Sequence, residues 1–117
     1  MLVEIFRKQG EFDSALVEKR GLSFDQGTWI QKEVLAIIAE LSEILDEVNY
    51  KWWKDPKPIN QDKLKEEIVD VLHFFVSMCI KAGIGPEELY DAYMEKNAEN
   101  FRRQQGETDR PGYAWTK

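Results

Sequence analysis

Val34, Ile38, Leu41, Leu45 and Val48 recur at intervals of three and four, the period of a helix with one apolar stripe. The spacing predicts a helix from about Thr28, a suitable N-cap, to Asn49 or slightly beyond. Upstream, Leu2, Ile5, Phe6, Phe12 and Leu16 keep a mostly helical spacing and predict a first helix over about 2–19. "RGLSFDQGT" connects the two, with Gly21 and Gly27 as breaks. The prolines of "KDPKPINQ" end the second helix, because proline lacks the N–H and restricts its predecessor to extended backbone. A third helix is predicted from about Gln61 to Ala82. A fourth starts at Pro86, with Glu87 and Glu88 at its positive end, and runs to about Gln105. Residues 105–117 read as a flexible polar tail. No alternating strand pattern competes, so the expected fold is all-α: one domain, a four- to five-helix bundle over 1–117. Four helices of a chain this short leave apolar surface over, and dimerisation is expected to complete the burial, as a homodimer or dimer of dimers.

The totals narrow this picture. In 117 residues, 22 Asp and Glu face 16 Lys and Arg, for a formal net charge of -6. That balance argues against nucleic acid as a partner, which calls for a basic patch, and suits a chain that gathers carboxylates around divalent cations. The hydrophobic share of 43% supports one core. Cys79, alone in an apolar run, is expected to be a buried thiol. No run of 18 apolar residues and no basic start followed by an apolar stretch occur, so the expectation is a cytoplasmic protein with no membrane partner.

Opposite the apolar stripe of the second helix lies an acidic one, Glu33, Glu40, Glu43 and Glu47. Taken alone it is a solvated face. The third helix alters that reading, because Glu67 and Asp70 share their stripe with Phe74 and Met78, residues not expected to face water. Carboxylates packed between two antiparallel helices repel and lose solvation unless a cation offsets them. Oxygen ligands without Cys, and with a single His, favour Mg²⁺ or Mn²⁺ over zinc. The Glu-x-x-His pair of di-iron bundles is absent. Glu40, Glu43, Glu67 and Asp70 are thus the candidate metal ligands. Glu47 reads equally as an outer ligand or a solvated residue, and Glu66 as exposed. Trp52 offers a stacking platform for a planar base or, with Trp53, packing at the bundle end; Trp53 and Trp29 read as packing. Lys96, Asn100 and Arg103 fall on one stripe of the fourth helix, either a solvated face or donors to an anion.

"ELSE" (Glu40–Glu43) followed by "EIVD" (Glu67–Asp70) resembles the E-x-x-E … E-x-x-D signature of the all-α nucleoside triphosphate pyrophosphohydrolases, which include the MazG-like enzymes and the dimeric dUTPases. "DVLHF" from Asp70, Trp52 nine residues after Glu43, "MEKNAENFRRQ", "RPGY" and Gln9 are similar to elements of the dimeric dUTPase branch. The resemblance implies hydrolysis of a (deoxy)nucleoside triphosphate, dUTP first, between the α and β phosphates, with Mg²⁺ as cofactor. It implies Glu40 and Glu43 as catalytic residues within a metal set completed by Glu67 and Asp70. Gln9, Trp52 and His73 would contact the base, the last in place of a purely structural histidine. Lys96, Asn97, Asn100, Arg103, Arg110 and Tyr113 would hold phosphate and sugar.

One departure stands out. Where the family pairs its first-helix Gln with an Asn just downstream, this chain has Phe12 and Asp13. Asn matches an imide edge that both donates and accepts, so another pyrimidine or a non-canonical nucleotide is the nearest rival substrate. The rival of a different class is a non-enzymatic helical oligomerisation module, whose acids serve solubility.

Overall fold

A computed structural model describes residues 1–106; Arg110, Tyr113 and the remaining tail positions lie outside the described residues. The chain divides into two compact units, Met1–Ile84 and Gly85–Lys117. Four helices make up the described residues: α1 (Leu2–Arg20), α2 (Gln26–Glu47) and α3 (Gln61–Lys81) in the first unit, and α4 (Pro86–Gln104) in the second. Among the described residues no strand is present, so the fold is all-helical as the periodicity predicts.

The helix ends follow from local chemistry. α1 stops at Gly21, whose φ of 60° is a left-handed conformation that costs a residue with Cβ. α2 starts earlier than expected: Asp25, not Thr28, is the N-cap, and its carboxylate accepts the Thr28 N–H at 2.7 Å. Thr28 instead lies inside the first turn. After α2, Asn49 takes φ 58°, and its side chain both accepts from Lys57 N (3.0 Å) and donates to Lys57 O (2.8 Å). This two-bond clasp closes the loop that contains Pro56. Asn60 then caps α3 by accepting the Lys63 N–H at 3.1 Å. In the second unit, Gly85 is the N-cap of α4 and Pro86 takes the predicted first-turn place.

In the first unit α3 packs against both α1 and α2, while its Ile68, Val69, Leu72 and Phe75 stay exposed. The core is thin: Phe6, Val76 and Cys79 are its buried apolar side chains, and Cys79 is the buried thiol expected. Gln9, Glu33, Glu47, Glu67 and Ser77 are also buried.

α2 departs from the usual amphipathic arrangement. Its apolar stripe, Val34, Ile38, Leu41, Leu45 and Val48, is exposed, while Glu33 and Glu47 on the acidic side are buried. Helix 2 therefore turns its carboxylates, rather than its leucines, into its own unit. Glu47, left open between ligand and solvated residue, is an inward one. No single helix among the described residues is long and apolar enough to cross a membrane.

Candidate active site

Glu40 comes from the middle of α2, and Glu67 and Asp70 from the facing part of α3. One carboxylate oxygen of each lies within 4.8 Å of the other two. Spacing of three along α3 puts Glu67 and Asp70 on one side of that helix, so the pair meets Glu40 as a unit. Glu43, one turn along α2 and exposed, shares a hydrogen bond with Glu67.

Repulsion is written into the protonation of this group. Glu67 is pushed up to about 7, first by its hydrogen bond with Glu43, then by burial and by the charges of Glu43, Asp70 and Glu40. Glu40 is also raised, chiefly by burial and then by Glu43 and Asp70, against a hydrogen bond with Glu67 that lowers it. Oε2 of Glu40 and Oε2 of Glu67 are buried without a hydrogen-bond partner. Orphaned carboxylate oxygens normally carry a penalty; here they point to a cation as the missing partner. An all-oxygen donor set converging from two helices fits Mg²⁺ or Mn²⁺.

A cavity of about 400 Å³ runs from Glu40 and Asp70 to a second polar cluster between α1, α2 and α3. Gln9 and His73 of the predicted base-contacting set meet there, with His73 Nδ1 2.7 Å from Gln9 Oε1. Asp13, flagged in the sequence as a departure, accepts from Gln9 Nε2 at 2.9 Å. Ser77 Oγ lies 2.8 Å from Asp13 Oδ2 and 2.9 Å from Glu33 Oε1. It takes a hydrogen bond from Lys81 Nζ at 2.7 Å. Lys81 also pairs with Glu33 at 2.8 Å and stands 4.2 Å over the Trp29 ring.

Glu33, Ser77 and Lys81 escaped the sequence reading as site residues, and Trp29 was assigned to packing although it lines this cavity. A signal for two of them existed. His73, Ser77 and Lys81 follow one another at intervals of four, continuing the Glu67–Asp70 face along α3.

Trp52 stands elsewhere. It is 86% exposed in the loop after α2, edge-on to Trp53 at 4.6 Å, and does not line the cavity. Within the second unit, Lys96 and Arg103 both pair with Glu99, and Arg103 also donates to Asn100 at 3.5 Å. Asn97 is exposed on the same helix. Arg110 and Tyr113 lie outside the described residues.

Two relatives share this part of the chain. A dCTP pyrophosphatase of Enterobacteria phage LZ5 is 36% identical over 74 residues, covering 63% of this chain and 43% of the relative. A dCTP pyrophosphatase of Enterobacteria phage T4 is 31% identical over 87 residues, covering 62% of this chain and 51% of the relative. The chain thus spans about half the length of the curated relatives it matches. No solved structure matches it significantly. The family described as dUTPase matches residues 1–88, a stretch that holds both carboxylate pairs and the whole cavity. The chain belongs to this all-α, MazG-like dUTPase family.

Proposed function

We propose that the protein hydrolyses pyrimidine deoxynucleoside triphosphates between the α and β phosphates, giving a monophosphate and pyrophosphate, with Mg²⁺ (or Mn²⁺) as cofactor. One observation carries the reading. Glu40 and Glu67 carry unpartnered buried oxygens beside Asp70, and Glu40 and Asp70 also line a cavity that holds the polar cluster of Gln9, Asp13, His73 and Ser77. The family supports dUTP as substrate, and the two phage relatives, as dCTP pyrophosphatases, support dCTP.

Glu40, Glu43, Glu67 and Asp70 would hold the cation. When bound there it supplies positive charge against the triphosphate and makes water a stronger acid. The chain's own residues then divide the work. Glu43, exposed and hydrogen-bonded to Glu67, is placed to take a proton from the attacking water, with Glu40 as the deeper carboxylate fixing the geometry. Gln9 and His73 contact the base, and the walls of the cavity exclude water around it. Lys96, Asn97, Asn100 and Arg103 of α4 are donors for phosphate and sugar, joined by Arg110 and Tyr113.

A homodimer or dimer of dimers completes the fold in this reading, because the outward apolar stripe of α2 calls for an apolar partner. The decisive assay incubates the protein with Mg²⁺ and each (d)NTP and follows pyrophosphate release. Release from dUTP or dCTP, abolished by chelation, is the expected result. No release from any nucleotide would leave the non-enzymatic oligomerisation module as the reading to adopt.

A further inference from the structure

Asp13 fixes the polarity of the hydrogen bonds along one wall of the cavity. A carboxylate only accepts, so Gln9 must turn its Nε2 to Asp13 Oδ1, as it does at 2.9 Å. Gln9 Oε1 is then left facing His73 Nδ1 at 2.7 Å, and Nδ1 is the donor of that hydrogen bond. An amide in isolation can be placed either way round; an acceptor-only neighbour removes the choice. Two groups remain available on this wall: the second N–H of Gln9 Nε2, and free lone pairs of Asp13. A donor stands beside an acceptor, in fixed order.

Pyrimidines present opposite edges to such a pair. Cytosine offers its exocyclic amino donor beside the ring-nitrogen acceptor. Uracil offers a carbonyl acceptor beside an N–H donor. With the base held in that register, so that its 4-substituent faces Asp13 and N3 faces Gln9, the pair complements the first edge and opposes the second at both atoms. An Asn at position 13 could rotate its amide and serve either.

The acceptor is also held from behind. Asp13 Oδ2 is 2.8 Å from Ser77 Oγ and 3.6 Å from Lys81 Nζ, and Lys81 is anchored by Glu33 at 2.8 Å. Asp13 and Lys81 side chains are each 14% exposed and that of Glu33 8%, so Lys81 offsets two carboxylates in a poorly hydrated space. Ser77 holds one proton between two carboxylates. When a ligand amino group takes up Asp13, that proton can turn to Glu33 at 2.9 Å and leave nothing orphaned.

We infer that Asp13, positioned by Ser77 and Lys81, is the base-selecting residue, and that the site takes cytosine in preference to uracil. This rests on the proposed reaction for its substrate, but its test separates the two. Steady-state kcat/KM is measured for dCTP and dUTP, and calorimetric binding for dCMP and dUMP, in the wild type, Asp13→Asn and Lys81→Met. The wild type is expected to favour the cytosine ligand by at least about tenfold in both measurements. Asp13→Asn moves the ratio towards uracil by about tenfold or more. Lys81→Met narrows the ratio through KM with kcat on dCTP little changed, and Ser77→Ala does the same should the Lys81 variant fail to fold. A merely structural role would lower both nucleotides together. Wild-type preference for uracil, an unchanged ratio in Asp13→Asn, or no binding of either monophosphate overturns the inference. Cytosine-selective binding without turnover sinks the proposed reaction and leaves the inference standing. Turnover without discrimination does the reverse.

Discussion

Glu67 is the residue whose chemistry is most exposed to measurement. Its pKa rises from the ordinary value of 4.5 to about 7 in the folded protein, so the native state keeps a proton that the unfolded chain gives up. Native protein thus binds more protons across that window, and metal-free stability must fall as pH rises from about 4.5 to about 7. Thermal unfolding in a chelator across pH 4–8 should show this decline. Added Mg²⁺ should flatten it, because the cation replaces the shared proton. Glu67→Gln should shrink both the decline and the Mg²⁺ effect, leaving the smaller share that the raised Glu40 carries. A flat profile in chelator would contradict the crowded carboxylate cluster. For the reaction itself, Glu43→Gln is expected to lower kcat by about 10²–10⁴-fold, the usual weight of a general base, with monophosphate binding retained in calorimetry. Full activity in that variant would move the proton-accepting role to another carboxylate.

The acidic residues of the two motifs were legible in the sequence because helical spacing places Glu40 and Glu43, or Glu67 and Asp70, side by side without any tertiary information. The tier behind the base was not. Ser77 and Lys81 look like ordinary positions near a helix end, and their partners Asp13 and Glu33 come from two other helices, 64 and 44 residues away from Ser77. Only packing reveals such a cluster.

Among elements, the connection from α2 to α3 matters because it sets how the two carboxylate-bearing helices face each other. Asn49 holds it by a left-handed backbone and two hydrogen bonds to Lys57. These contributions can be separated by substitution. Asn49→Gly keeps the backbone freedom and loses the bonds, at about 1–2 kcal/mol by the usual net worth of a hydrogen bond; Asn49→Ala adds the left-handed strain and should cost more. Equal losses in chemical denaturation would mean that the conformation carries no weight. At the start of α3, Asn60→Ala should cost about 1 kcal/mol through the lost cap. Cap identity is also where the periodic pattern misled: Thr28 and Asp25 are both good caps, and only the backbone shows that Asp25, three residues earlier, receives the bond.

For the whole molecule, the telling fact is that α2 faces the wrong way for a lone subunit. Its three-four apolar repeat was readable, and so was its acidic opposite face, but the sequence pattern alone suggests that the apolar side fills the chain's own core. The structure reverses this, since that side is exposed and the acids turn inward. A partner is expected to cover the stripe, and light scattering should return two or four times the 13.7 kDa of one chain. Ile38→Glu with Leu41→Glu should return a single-chain mass. A monomeric wild type at micromolar concentration would overturn the expectation.

α3 carries a consequence for evolution and for engineering alike. Glu67, Asp70, His73, Ser77 and Lys81 all stand on one continuous helix, so both ends of the cavity are graduations on a single ruler. At about 1.5 Å per residue, the seven steps from Asp70 to Ser77 fix roughly 10 Å of reach. No hinge intervenes to adjust it. One residue inserted between Asp70 and His73 would lengthen the ruler slightly but swing its far marks about 100° around the axis. Base reading and metal binding would then survive as two separate, uncoupled sites. Substitution can retune what this site recognises, but a change of register in α3 can only dismantle it.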